Sequence, residues 1–205
     1  TNANIGEYID LGNNILGTES TTDDWRILYK DEDKIYAISA DFLPNSTGCA
    51  ENAELITEGT HIVNGYESRD KLINGLTHST AWNVLANGIA GATATGAPTL
   101  ELVINSYNAK NNTDLAYDND SASYPRYEYM TGDYDLYMTN EPGCYWLASS
   151  YDKHEAYIWS VHSGGLIMAV GYSDTYAISA GVRPVVVLPS DTSCSYVDGV
   201  WTIEK

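Results

Sequence analysis

The sequence predicts an α+β domain with mostly antiparallel pairing. Three observations carry this: strand-like segments open the chain, helical periodicity occupies its middle, and strand-like segments return to close it. At the front, residues 24–29 (DWRILY) and 34–39 (KIYAIS) are apolar and β-branched, and Asp31, Glu32 and Asp33 separate them in the pattern of a hairpin. Pro44, Asn45, Ser46, Thr47 and Gly48 then follow in succession, which is loop chemistry. In the middle, Ala81, Trp82, Leu85, Ala86 and Ile89 recur at spacings near 3.6, with Gly88 or Gly91 as a left-handed stop. Pro98 suits a first helical position, and Leu100, Val103, Ile104 and Tyr107 mark one apolar face of a second helix. A shorter helical pattern runs over 67–74 and closes at Gly75. Residues 111–140 are almost uniformly polar with scattered Tyr and no sustained period, so they read as a long surface insertion. Strands are expected over 144–148, 157–162, 166–170 and 182–188, then a hairpin of 195–197 and 200–203 turned by Asp198-Gly199.

The chain has 205 residues, enough for one domain spanning 1–205, and at 43% hydrophobic and 11% aromatic it can fill a core. Its 10 Lys+Arg stand against 28 Asp+Glu, a formal charge of −18. Such a chain, with no cluster of basic residues, offers no footprint for a phosphate backbone or an anionic bilayer. Nucleic acid is excluded as a partner. Apolar runs such as 185–188 fall far short of the roughly 20 residues that span a bilayer, so this segment is not expected to insert in a membrane. The opening TNANIGEYID has no basic region followed by an apolar stretch, so any leader or anchor is expected upstream of Thr1. Cys49, Cys144 and Cys194 permit at most one internal disulfide and form no CxxC pair.

The usual catalytic and metal signatures are missing. No GxSxG, Walker loop or HExxH occurs, and His61, His78, His154 and His162 are scattered. Asp114, Asp118 and Asp120 cluster in a manner that suits calcium, but the central Gly and the closing Glu of an EF-hand loop are lacking, so a solvated acidic loop is the expectation. No metal or cofactor is expected. The aromatic content is skewed instead: 17 Tyr and 5 Trp against one Phe, with 13 of the tyrosines at position 107 or later. Tyrosine joins a flat apolar body to a hydroxyl, which suits half-wet recognition surfaces as well as cores.

Within 144–189, Tyr145-Trp146-Leu147-Ala148-Ser149 is a buried-looking strand, Ser163-Gly164-Gly165 a tight turn, and Gly181-Val182-Arg183-Pro184 the lead into a fully apolar strand. This stretch resembles the C-terminal half of the C-type-lectin-like fold, in the branch of formylglycine-generating enzymes and the variable proteins of diversity-generating retroelements. It is most similar to a bacterial and prophage group ending YWLAS…SGG…GVRPVV in secreted or surface proteins. Residues 5–10 (IGEYID) and 95–100 (TGAPTL) agree with that group, so the likeness covers most of the chain.

The resemblance implies that Trp146, Gly165, Gly181 and Arg183 are scaffold, with Arg183 anchoring the terminal strand through backbone or carboxylate contacts. It further implies that Tyr157, Trp159, His162, Leu166, Met168, Tyr172, Asp174 and Tyr176 are displayed, a mixture typical of binding hot spots. Tyr151 and His154, in the turn before them, join these ligand-binding candidates. Alternation leaves one point open: along 157–161 either Tyr157 and Trp159 or Ile158 faces the core. The reactive cysteine pair of the catalytic members has no counterpart here, and neither do the Glu-Pro-Asn or Gln-Pro-Asp tripeptides of calcium-dependent lectins. The expectation is a non-catalytic domain outside the cell or on a virion that binds a protein or glycan, in one reading as a diversified variable protein. A structural subunit of a pilus or phage particle, and an enzyme of another type, stand as alternatives.

Overall fold

Strands form where β-branched and aromatic residues alternate in reach of a partner strand, and among the described residues they make two sheets. The structure, a computed structural model, describes residues 2–17, 20–43, 68–77, 82–116, 128–130, 135–138, 144–162, 164–171 and 180–204. One sheet has seven strands, in the order β11 (Cys194–Val197), β12 (Val200–Ile203), β1 (Tyr8–Asp10), β2 (Trp25–Lys30), β3 (Lys34–Ser39), β10 (Val185–Pro189) and β4 (Thr93–Thr95). The other has five: β5 (Glu128–Tyr129), β8 (Leu166–Gly171), β7 (Tyr157–His162), β6 (Cys144–Ser150) and β9 (Ala180–Gly181). All pairs are antiparallel except β1 with β12 and β6 with β9. Two α-helices, α1 (Arg69–Thr77) and α2 (Leu100–Asn111), complete the framework among the described residues.

Local chemistry explains the turns. In the β2–β3 hairpin the Asp31 carboxylate accepts from the backbone N–H groups of Asp33 and Lys34 at 2.9 and 2.8 Å. Asp198 and Gly199 both have positive φ, +50° and +91°, as the two-residue turn of the final hairpin requires. At the start of α2 the Thr99 side chain accepts from Leu102 N, and Asn112 ends the helix in the left-handed region. Pro98 therefore lies just outside the helix, two residues before its first helical position, Leu100.

The middle of the chain differs from expectation in two ways. The pattern over 81–89 forms a 3₁₀ turn, Asn83–Ala86, and the shorter pattern at 67–74 becomes α1, with Gly75 inside it. Trp82, Leu85, Ala86 and Ile89 are buried as their spacing suggests. The α-helix is displaced by competing bonds: Asn83 Oδ1 accepts from Ala94 N at 2.7 Å, Trp82 Nε1 donates to Gly75 O at 2.9 Å, and successive N–H groups bond three residues back. The second difference lies within 111–140. Asn112, Thr113, Asp114 and Asp135 are exposed, as a surface insertion would have them, but Met130, Leu136 and Tyr137 are buried in the core, and the Tyr137 hydroxyl meets Ser106 Oγ of α2 at 2.7 Å. Ser106 also donates to Leu28 O, at the bulge where β2 and β3 lose register. A bulged residue leaves the ladder, so a side chain must replace the missing partner.

Two apolar clusters form the core, and β6 shows how strands divide between them. Cys144 and Trp146 enter one cluster with Leu72, Leu76 and Trp82, while Tyr145 and Leu147 enter the other with Leu100, Val103 and Leu136. A strand buried on both faces reads as a continuous apolar run. Arg183, fully buried before β10, ties the clusters together through the backbone. Its Nε and Nη2 donate to Ser39 O at 2.9 and 2.7 Å, and Nη1 donates to Leu136 O and Met138 O at 3.1 and 3.3 Å. Burial works against its charge, and the Tyr145 ring, 5.1 Å from the guanidinium carbon, and the Asp41 carboxylate offset part of that cost. Replacing Arg183 with Met strands these buried carbonyls, and the expected loss is about 3 kcal/mol of unfolding free energy. Urea denaturation checks this through a lowered midpoint at unchanged slope; an unaltered midpoint would remove Arg183 from its anchoring role.

Candidate functional site

The backbone between β6 and β7 folds into a tight turn over residues 151–157. Tyr151 N donates to Tyr157 O at 3.1 Å, His154 N to Tyr151 O at 3.3 Å, and Tyr157 N to His154 O at 3.0 Å. Ala156 N donates to His154 Nδ1 at 3.2 Å, so that nitrogen is the unprotonated one and any ring proton sits on Nε2. From α1, Arg69 Nη1 reaches over and donates to Tyr151 O and His154 O, both at 3.3 Å. A helix on a separate stretch of chain thus clamps the turn.

Four of the candidates meet there in one column of rings. Trp159, 2% exposed, packs edge-on against Tyr151 at 5.5 Å and 85°. Tyr151 meets Tyr157 at 6.3 Å, and Tyr157 meets His154 at 4.3 Å. The column runs outward from core to solvent: Trp159 and Tyr151 are buried, Tyr157 is half-buried and His154 exposed. Edge-to-face pairs of this kind add to the area each ring buries. Asp152, Lys153 and Glu155 project from the same turn. A hollow of about 360 Å³ lies beside it, lined in part by Ile73, Glu101, Ser150 and Asp152.

Burial bears on two of the expected contact residues. Tyr151 and Trp159 are almost wholly buried and support the two outer rings, although Trp159 still lines the hollow. The open question of which face of 157–161 is inward has a two-sided answer. Ile158 joins the first cluster and Trp159 and Val161 the second, because elements pack on both faces of β7.

His162 and Met168 lie apart from that column, on the opposite face of the sheet. Met168 is half-buried and packs against the first cluster. Ser160 Oγ donates to Met168 O at 3.0 Å across the strand pair, and it lies 3.1 Å from His162 Nε2. One hydroxyl carries one hydrogen, so the ring Nε2 is the donor to Ser160. With Ser160 fully buried and its proton committed to a carbonyl, the pair links β7 to β8 and presents no accessible nucleophile. Burial pulls the His162 pKa below the ordinary 6.5.

Scaffold positions fit tightly. A Cβ on Gly165, which has φ +80°, would stand 2.8 Å from Met130 O, and one on Gly181 would stand 2.7 Å from the Phe42 ring. Trp146 is 2% exposed within the first cluster. Tyr172, Asp174 and Tyr176 lie outside the described residues, as do Cys49, Asp118 and Asp120. Cys144 and Cys194 sit in different sheets. Among the described residues no group of three His, Cys, Asp or Glu side chains could hold a metal ion. Sequence reasoning missed Arg69, whose only signal is that it is one of few cations in a strongly acidic chain.

No protein-family model matches this chain, and neither a curated protein nor a solved structure does.

Trp159→Ala is expected to cost about 3–5 kcal/mol in chemical denaturation, and His154→Ala about 0.5 kcal/mol. Equal losses would contradict a column graded from core to surface. For His162 the sign follows from its lowered pKa: the unfolded chain takes up the proton first, so stability falls as pH drops through 6.5. His162→Gln is expected to flatten that part of the stability-against-pH curve, measured by thermal unfolding between neutral and mildly acidic pH.

Proposed function

We propose that this protein is a non-catalytic binding domain of C-type-lectin-like type, acting at a cell surface or on a virion, whose contact face centres on the turn at 151–157. The observation that carries the reading is the column from Trp159 to His154. Exposed rings on a mobile loop would lose much of their binding energy to ordering, whereas these are stacked on core residues and clamped by Arg69 before any partner arrives. Tyr157 and His154 then supply contact area, and Asp152, Lys153 and Glu155 a polar rim, the usual division of an interface. Tyr172, Asp174 and Tyr176 are further contact residues in this reading.

The C-type-lectin-like assignment draws support from the places where the family's scaffold motifs fall. Gly165 occupies a strand-reversing turn against Met130, Gly181 packs under Phe42, and Arg183 holds the terminal strand by backbone carbonyls. The partner is a protein or glycan on another cell or particle. A net charge of −18 disfavours polyanionic partners.

The test uses the fluorescently labelled protein on a panel of bacterial cells and on an immobilised glycan array. His154→Ala with Tyr157→Ala is expected to reduce binding at least about tenfold, since loss of two hot-spot side chains exceeds 1.4 kcal/mol. Thermal unfolding of the double variant should stay close to that of the parent. Retention of full binding, or binding to no cell or glycan at all, would overturn the assignment.

A further inference from the structure

A second concave site lies between the seven-stranded sheet and the first turns of α2. Its cavity measures about 400 Å³, the size of a small-molecule site. One row of the sheet makes the floor, with Tyr29 of β2, Tyr36 of β3 and Val187 of β10 paired in register. The Tyr29 and Tyr36 rings stand 6.1 Å apart, tilted by 41°. Leu102 and Glu101 overhang from α2, and Asp31 closes the hairpin end. The Asp31 carboxylate also accepts the Tyr36 hydroxyl at 3.0 Å, which fixes that ring in the wall. Tyr29, Tyr36, Val187, Glu101 and Leu102 sit on strands or the helix of the framework, and Asp31 is held in its turn by the N–H groups of Asp33 and Lys34, so the groove exists before a ligand arrives.

Its charges are one-sided. Asp31 and Glu101 line it, and no Lys, Arg or His does among the described residues. Two electron-rich rings beside two carboxylates favour a positive group with an apolar stem: the ring faces attract the cation, and the stem covers Tyr29, Tyr36, Leu102 and Val187. A neutral sugar would find aromatic floor and acceptors but would leave the carboxylate charge uncompensated. Overall acidity alone does not select this spot, since here two carboxylates and two tyrosine rings line the same cavity.

We propose that this groove binds a small organic cation, a primary alkylammonium whose carbon chain lies along the Tyr29–Tyr36–Val187 row and whose nitrogen meets the Glu101 carboxylate. None of the four rings of the column lines this groove, but Thr99, Glu101 and Ala148 line both it and the hollow beside the 151–157 turn, so Tyr29→Leu, which lies outside that hollow, is the variant that separates the two sites.

The experiment titrates n-pentylammonium into the whole chain at fixed ionic strength, following the tyrosine ring resonances by NMR and heat by calorimetry. Neutral 1-pentanol and methyl β-glucopyranoside serve as comparison probes. Saturable binding of the ammonium is expected, with the Tyr29 and Tyr36 signals moving, and Glu101→Gln weakening it about tenfold. Glu101 is exposed on the helix surface, so this variant keeps the fold. Tyr29→Leu, which keeps the apolar floor and removes the ring, is expected to weaken binding by roughly fivefold. Glu204→Gln, outside the groove, should leave it unchanged. Four results would each overturn the proposal: no saturation by tens of millimolar, equal binding of 1-pentanol, preference for the glucoside, or an equal loss in Glu204→Gln, which would mean attraction to the general field of an acidic protein.

Discussion

The fold depends on one buried cation. Arg183 sits where the approach to β10, the end of β3 and the 135–138 segment converge, and it satisfies main-chain carbonyls from all of these directions. Moving a guanidinium out of water costs several kcal/mol, and no carboxylate pairs with it at hydrogen-bond distance among the described residues. The compensation is distributed over carbonyl dipoles and the face of Tyr145. That arrangement demands that strands from both ends of the chain arrive at fixed positions, so the residue selects one topology as well as stabilising it. Arginine rather than lysine suits the task, because its planar fork presents several donors in fixed directions.

The same habit recurs with the other cations. Arg26 Nε donates to Gly6 O, Arg69 Nη1 to Tyr151 O and His154 O, and Lys30 Nζ to Ala3 O. In a chain with 28 acidic residues these contacts go to carbonyl oxygens, beside the ion pairs Arg26–Asp135 and Arg69–Asp70. Exposed ion pairs contribute little, whereas donors to otherwise unsatisfied carbonyls hold turns and strand ends in place. Asp24 is buried, where it accepts from the N–H groups of Ile15 and Leu16, and most of the other described carboxylates are exposed.

Core construction also determines where recognition can happen. Because β6, β7 and β8 are packed on both faces, most of their side chains are committed to the interior, and the proposed contacts fall on Tyr157 at the start of β7, on the turns between strands and on the groove under α2. The ring column and the Tyr29–Tyr36 corner share a device, namely a half-buried aromatic whose position is fixed by a buried neighbour or a carboxylate. Rigidity of this kind reduces the entropy that binding must overcome.

The sequence by itself determined the hairpins and the α+β class. Asp31 and Asp198-Gly199 encode their turns locally, and the runs 34–39, 157–162 and 200–203 match their strands to the residue. The scaffold glycines and Arg183 were legible too, through motif resemblance and not through periodicity. Only the tertiary structure decided the rest. Alternation reports which side chains share a face of a strand, but whether Trp159 meets solvent depends on elements remote in sequence that cover that face. The helical period at 81–89 survived as burial while its backbone tightened, because Asn83 and Trp82 found partners at Ala94 and Gly75 that no local rule weighs. The polar stretch around 128–138 hid Met130, Leu136 and Tyr137 as core residues, since three apolar positions without a period give no signal until Arg183 and Ser106 reach them through space.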